Sequence, residues 1–305
     1  MRHPLNIRVN FSIKCNLIPA SFIRKISIMK RSDKKVALIA GALGLPALTR
    51  DALRKNGWEV FVIGIQNFYD SKLHPDMVIR LGAAWGAVHE LRRRGINKLV
   101  FVGALGHPRL SEIRPDLWAL GILISVIKNQ RGYDSMAIAF EQALKKRGFE
   151  LVAAQDLAPD LTFTKPGVYT KVKPTQSDKK SIDHAINVSH VIGAADIGAS
   201  VVVDKQVIAV EAAEGTAKML ERVISMRKGI KKSSGVFAKM TKPKQNLKID
   251  IPAIGVDTVR AVANAKLRGI VINTKSCFII DRDAVIAAAN KAKIFIVATD
   301  EHPHK

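Results

Sequence analysis

Five carboxylates in the second half of the chain stand beside glycines, prolines and turns, where an acid can do chemistry rather than solvate a surface. Glu211 and Glu214 bracket the turn Glu211-Ala-Ala-Glu-Gly-Thr216, between a predicted strand and a predicted helix. Asp196 lies in Ala194-Ala195-Asp196-Ile197-Gly198, while Asp250 and Asp257 flank Pro252 and Gly255. Acids at strand ends of an α/β domain lie on the rim where ligands bind. Asp257 reads best as a helix N-terminal residue facing the macrodipole. For Glu214 that reading and a chemical one stand side by side. Asp250 has no capping role in the strand-like stretch ahead of Pro252, and a polar site explains it better.

The run Arg227–Lys248 holds eight Lys/Arg. Charge runs are ordinarily solvated, and Lys231 and Lys232 fit that description. The segment Lys239-Met-Thr-Lys242-Pro243-Lys244-Gln245, however, leads straight into Asp250. Cations beside a carboxylate suit a diphosphate with Mg²⁺, the lysines meeting the anion as point charges and the acid holding the metal.

In the first half, Gly41-Ala42-Leu43-Gly44 follows a strand and opens a helix, a geometry that points backbone N–H groups at an anion. It lacks the G-x-G-x-x-G spacing, and the second strand ends in Gln66-Asn67 with no carboxylate for a ribose hydroxyl. There is no P-loop, H-E-x-x-H, G-x-S-x-G or C-x-x-C motif. Eight scattered histidines argue against zinc and against a di-metal phosphoesterase rich in His and Asn. The hard-cation, carboxylate type of metal site is what remains, Mg²⁺ foremost.

These residues need elements to hold them. Val36–Ala40 is a continuous apolar run ending in Gly41, as a buried parallel strand reads. Pro46 suits the first turn of a helix running to about Asn56. Further strands are predicted at 59–65, 98–102 and 151–154, with helices at 81–94, 117–128 and 135–147. A Pro/Lys/Asp/Thr-rich loop, 159–180, precedes a second alternation. It has helix 182–195, strands 199–203 and 207–210 joined by a hairpin, and helix 216–226. It continues with a strand at Ile249, helix 258–267, strands 270–272 and 277–280, helix 282–292 and strand 294–298. Strands alternating with helices imply a parallel sheet covered on both faces. The expected fold class is therefore α/β, in two domains at residues 35–160 and 161–305, preceded by a basic extension at 1–34.

The 305 residues suit two domains, and 48% hydrophobic with 25% charged residues is a globular composition. The formal net charge of +23 draws in polyanions: nucleic acid, anionic lipid or phosphorylated ligands. Rings are not interleaved with the cations, since Phe237 is the one aromatic in the basic run, so no specific nucleic-acid partner is expected. Two cysteines, Cys15 and Cys277, suit a reducing compartment. No segment reaches the roughly 18 apolar residues of a membrane span, so membrane contact should be peripheral. Residues 1–35 carry nine Lys/Arg and one acid; residues 1–28 read as a disordered or artefactual extension ahead of a natural start at Met29.

One ordered set of segments runs Leu38-Ile-Ala-Gly41 with Leu45-Pro46, Gly103 with Arg114-Pro115-Asp116, Asp196-Ile-Gly198, and Ala209-Val-Glu211-Ala-Ala-Glu214-Gly-Thr216 with Met219 and Arg222. Lys242-Pro243, Gln245, Asp250, Pro252, Ile254-Gly255 and Thr258 complete it. The set resembles the LpxI-type UDP-2,3-diacylglucosamine diphosphatases of lipid A biosynthesis. The resemblance implies a Rossmann-like first domain, a distinct α/β second domain, and a site between them. It implies Mg²⁺-dependent hydrolysis of UDP-2,3-diacylglucosamine to UMP and 2,3-diacylglucosamine 1-phosphate (lipid X), with water attacking the sugar-side phosphorus. The chain departs from the family's pattern at Ala42, His107-Pro108, Ala199, Ala217, Asn246 and Lys248. The last four motivate an alternative, a catalytically weakened homologue that binds lipid or nucleotide without turnover.

On this footing Asp250 and Glu214 are the expected catalytic acids, and Asp250, Glu211 and Glu214 the expected Mg²⁺ ligands. Lys239, Lys242, Gln245 and Thr216 are expected to face the phosphates, and Gly41 and Gly44 to offer backbone N–H groups. The expected place of work is the cytoplasmic face of the inner membrane, on an anionic surface, with the oligomeric state open and a homodimer among the options.

Overall fold

The computed structural model describes residues 34–42, 44–103, 115–127, 133–195, 197, 200–203, 206–212, 214–243 and 245–300. The expected extension at 1–28 lies outside them.

The first strand, β1 (Lys35–Ala40), is buried along nearly its whole length. Its two-residue period divides the core: Ala37 and Ile39 enter one cluster, Val36, Leu38 and Ala40 another. The sheet continues with β2 (Glu59–Ile65), β3 (Met77–Ile79), β4 (Lys98–Val102) and β5 (Glu150–Leu151). Among the described residues its order is β3-β2-β1-β4-β5, every pairing parallel. This is the order of a doubly wound sheet, whose crevice opens at the carboxyl ends of β1 and β4 where the winding reverses. One face is covered by α2 (Trp85–Arg93), α3 (Leu117–Ile127) and α4 (Tyr133–Lys145), through Val88, Leu91, Ile122 and Leu144. The other is covered by α1 (Leu45–Lys55) and α5 (Ala154–Leu157), through Leu53 and Ala154.

The second half builds a sheet from β6 (Gly167–Val168), β7 (Ser200–Val203), β8 (Gln206–Val210), β9 (Val236–Lys239), β11 (Gly269–Asn273) and β13 (Phe295–Thr299). Its order is β6-β13-β11-β9-β7-β8. A short parallel pair, β10 (Ala253–Ile254) and β12 (Phe278–Ile279), stands apart from it. Helix α6 (Gln176–Gly193) packs on one face through Ile182, Ala185 and Ile186. Helices α7 (Gly215–Met226), α8 (Val256–Asn264) and α9 (Arg282–Ala292) pack on the other, through Leu220, Val223, Val262 and Val285.

The halves share a core. Phe278 is fully buried in the α1 face of the first sheet, with Ile251 and Ala253 packed beside it. The segment that carries Asp250 therefore runs directly into the seam between the two sheets.

Several boundaries differ from expectation for identifiable reasons. Helix α2 starts at Trp85 rather than Leu81, because Gly82 has φ +90° and cannot continue a right-handed helix. Helix α6 starts at Gln176 rather than Ile182, nucleated by a capping box between Thr175 and Asp178. The first-half strand at 151–154 is only β5, after which α5 begins. The basic run conceals the central strand β9, whose Val236, Phe237 and Ala238 are fully buried. Ile249 is no strand: the amides of Ile249 and Asp250 both donate to the Asn246 carbonyl (3.0 Å each), so the chain turns there.

Candidate active site at the carboxyl edge of the second sheet

Strand β7 runs antiparallel to β8 and to β9, while β11 runs parallel to β9 and β13. Strands β8, β9, β11 and β13 therefore end on the same edge. Glu211 follows β8, Lys239 closes β9 and Asn273 closes β11. This edge gathers several of the polar residues singled out from sequence.

Lys239 and Glu211 are mostly buried there, with side chains 14% and 19% exposed. The Lys239 ammonium donates to Thr216 Oγ1 (2.5 Å), and that hydroxyl donates to Glu211 Oε2 (2.8 Å). The ammonium itself stands 3.8 Å from the same carboxylate oxygen. Thr216 thus sits between cation and anion, in the first turn of α7. Beneath them, burial pushes the Cys277 thiol up to about 12 against the pull of Lys239, so it stays protonated and is no nucleophile.

Glu214 has its own partners. It accepts from Arg222 (2.7 Å) and from the Ala212 amide (3.1 Å). A hydrogen bond to its own backbone, with the Arg222 guanidinium, holds its carboxyl below the usual carboxylate range. It stands at the N-cap of α7, as the helix N-terminal reading has it, but makes no side-chain cap there. Asp257 does behave as a surface helix residue, 96% exposed and paired with Arg260 (3.0 Å).

Asp250 is half-buried. Its Oδ2 accepts from Gln245 Nε2 (2.9 Å), and Gln245 Oε1 accepts from the Lys242 amide (3.0 Å). The glutamine amide is engaged at both ends, so Gln245 braces Asp250 rather than facing the phosphates as expected. The backbone at Lys242 is fixed from behind by Gly193, where a Cβ would lie 3.1 Å from Pro243 and 3.4 Å from Lys242. Thr241 is fastened to buried Asn273, whose Oδ1 accepts from the Thr241 amide (2.8 Å) and hydroxyl (2.9 Å).

Two further expectations are corrected. The N–H of Gly41 donates to the Val102 carbonyl (2.9 Å) and is not offered to an anion. The crossing there is tight: Gly103, φ +97°, would carry a Cβ only 2.6 Å from the Ala42 carbonyl oxygen. Gly44 is exposed at the start of α1. Among the described residues, no three His, Cys, Asp or Glu side chains gather where they could hold a metal. Glu211 and Glu214 are engaged by Lys239, Thr216 and Arg222 instead of meeting Asp250. The donor set that fits Mg²⁺ is narrower: this ion ordinarily takes one or two carboxylates and completes its shell with water and substrate phosphates. Asp250 is a carboxylate of that kind, with one oxygen hydrogen-bonded to Gln245.

Of the departures, Ala217 is exposed. Asn246 and Lys248 reach Glu141 on α4, a residue the sequence reading passed over. Asp196, Gly198, Ala199, Arg114, His107, Pro108 and Lys244 lie outside the described residues.

The chain matches the model of the LpxI N-terminal domain over residues 35–161 and that of the LpxI C-terminal domain over residues 165–297. It is 33% identical over 275 residues to a protein of Caulobacter vibrioides named UDP-2,3-diacylglucosamine pyrophosphatase LpxI. That alignment covers 88% of this chain and 98% of the relative.

Proposed function

Because this chain belongs to the LpxI family, we propose that it hydrolyses the diphosphate of UDP-2,3-diacylglucosamine, releasing UMP and 2,3-diacylglucosamine 1-phosphate. The observation that carries the reading is the placement of Asp250: a braced carboxylate at the seam of the two halves, linked through Gln245 to the Lys242 amide and beside the core that joins the sheets. A substrate with a nucleotide at one end and a greasy sugar at the other suits a seam better than a pocket in either half.

The chemistry is an in-line displacement. A water oxygen bonds to the sugar-side phosphorus as the bridging P–O bond breaks, and the bridging oxygen leaves on UMP with its electron pair. Asp250 serves as metal ligand or as the base that takes the water's proton. Gln245 holds that carboxylate in one orientation, and Lys239 and Lys242 bring positive charge to the diphosphate. When bound, Mg²⁺ supplies charge neutralisation at the phosphate oxygens and acidifies a water. Glu211 and Thr216 keep the Lys239 ammonium in place.

The net charge of +23 suits collection of an amphipathic substrate from an anionic membrane surface, each basic residue near the surface adding about 1 kcal/mol. No helix among the described residues is long and apolar enough to cross a membrane.

The test is product analysis. Purified full-length protein with UDP-2,3-diacylglucosamine and Mg²⁺ should give UMP and a sugar 1-phosphate in equal amounts by ³¹P NMR, and a chelator should stop the reaction. Binding of the lipid without UMP release would replace this reading with that of a non-catalytic homologue.

A further inference from the structure

We infer that Glu141 on α4, with Asn246 and Lys248, forms a latch that ties the turn carrying Asp250 to the first half, and that Asn246 is a positioning residue in it rather than a metal ligand. Glu141 receives two donors on its two oxygens: the Asn246 amide on Oε2 (3.2 Å) and the Lys248 ammonium on Oε1. They reach across 105 and 107 residues of sequence and join opposite halves. All three side chains are half-buried, where a carboxylate facing its donors counts for more than on an open surface.

Asn246 is also the pivot of the turn itself. Its Oδ1 accepts from the Lys248 amide (3.1 Å), and its carbonyl accepts from Ile249 and Asp250 (3.0 Å each). One residue therefore fixes both the course of the backbone into Asp250 and its distance from α4. An aspartate at 246 would turn the donor facing Glu141 into an anion and set two carboxylates about 3 Å apart, which is unfavourable. The asparagine at 246 and the lysine at 248 are matched to the glutamate across the seam. Seen from Glu141, these two departures complete a contact.

The experiment is a double-mutant cycle in the full-length protein with Asn246→Asp and Glu141→Gln. It is read by thermal unfolding and by steady-state hydrolysis over a Mg²⁺ titration. The latch predicts that Asn246→Asp lowers Tm by about 3 °C and kcat about tenfold, with KM changed less than about twofold. Adding Glu141→Gln to that variant should restore most of both, while the Mg²⁺ concentration for half-activity stays constant. Additive effects of the two substitutions on Tm overturn the latch. So does a lower Mg²⁺ requirement in Asn246→Asp whatever stands at 141, since that places position 246 at the metal. The turnover arm rests on the hydrolase reading, whereas the unfolding arm does not. A chain that releases no UMP but shows the coupled Tm shift keeps the latch and loses the hydrolase.

Discussion

Asp250 is held still by its neighbours. Its carboxylate is fixed by Gln245, which is fixed by the Lys242 amide, whose backbone is pressed against Gly193. Gln245→Ala removes the brace without touching the carboxylate, and UMP release should fall about tenfold while Tm changes little; a kinetic assay beside a melting curve checks this. Glu211 and Thr216 hold the Lys239 ammonium. Thr216→Val cuts the bridge between ammonium and carboxylate, so KM for the nucleotide lipid should rise severalfold with a smaller effect on kcat. The acids Asp250, Glu211 and Glu214 were legible in the sequence because each breaks a run of apolar or turn residues. Their partners were not. Nothing in the spacing shows that Glu214 lies under Arg222, or that a glutamate on a first-half helix answers Asn246, because those distances are set by tertiary packing.

At the level of elements, strong periodicity carried through and weak periodicity did not. The apolar runs at 36–40 and 294–298 become strands β1 and β13: all five positions of 36–40 are buried, and so are Phe295, Ile296 and Ala298. Strand β9 was hidden because its three buried residues sit inside a charge run, and only pairing with β11 and β7 makes them a strand. The start of α6 was hidden because Thr175-Gln-Ser-Asp178 reads as a polar loop until the capping box forms. That cap makes a prediction about pH. Burial works to raise the Asp178 carboxyl, but Arg268 (3.0 Å) and the amide and hydroxyl of Thr175 outweigh it and hold the group below its ordinary value. A carboxylate with a depressed native pKa stabilises the fold above its unfolded pKa, about 3.9, and loses that contribution as pH falls towards its native value. Asp178→Asn should therefore melt lower at neutral pH, by roughly 2 kcal/mol. It should also lose less than the wild type between about pH 4 and pH 2; melting curves across that range give the comparison.

Residues 35–300 hold two α/β halves that meet through apolar contacts as well as through Glu141 with Asn246 and Lys248. Phe278 belongs by sequence to the second half and by packing to the core of the first. Phe278→Ala should cost about 3–5 kcal/mol and lower activity in proportion to the loss of fold, seen as a shifted denaturant midpoint. Net charge acts at longer range. Sedimentation with vesicles rich in anionic lipid should be strong at low salt and fall steeply as ionic strength rises towards 0.5 M, where the screening length is well below 10 Å. The measurement that bears most directly on the whole account is the turnover of UDP-2,3-diacylglucosamine by the wild type and by Asp250→Asn, each shown to be folded by its melting curve. The account predicts UMP release by the first and a loss of at least about 100-fold in the second. An Asp250→Asn protein that turns over as fast as the wild type would place the chemistry elsewhere and contradict it.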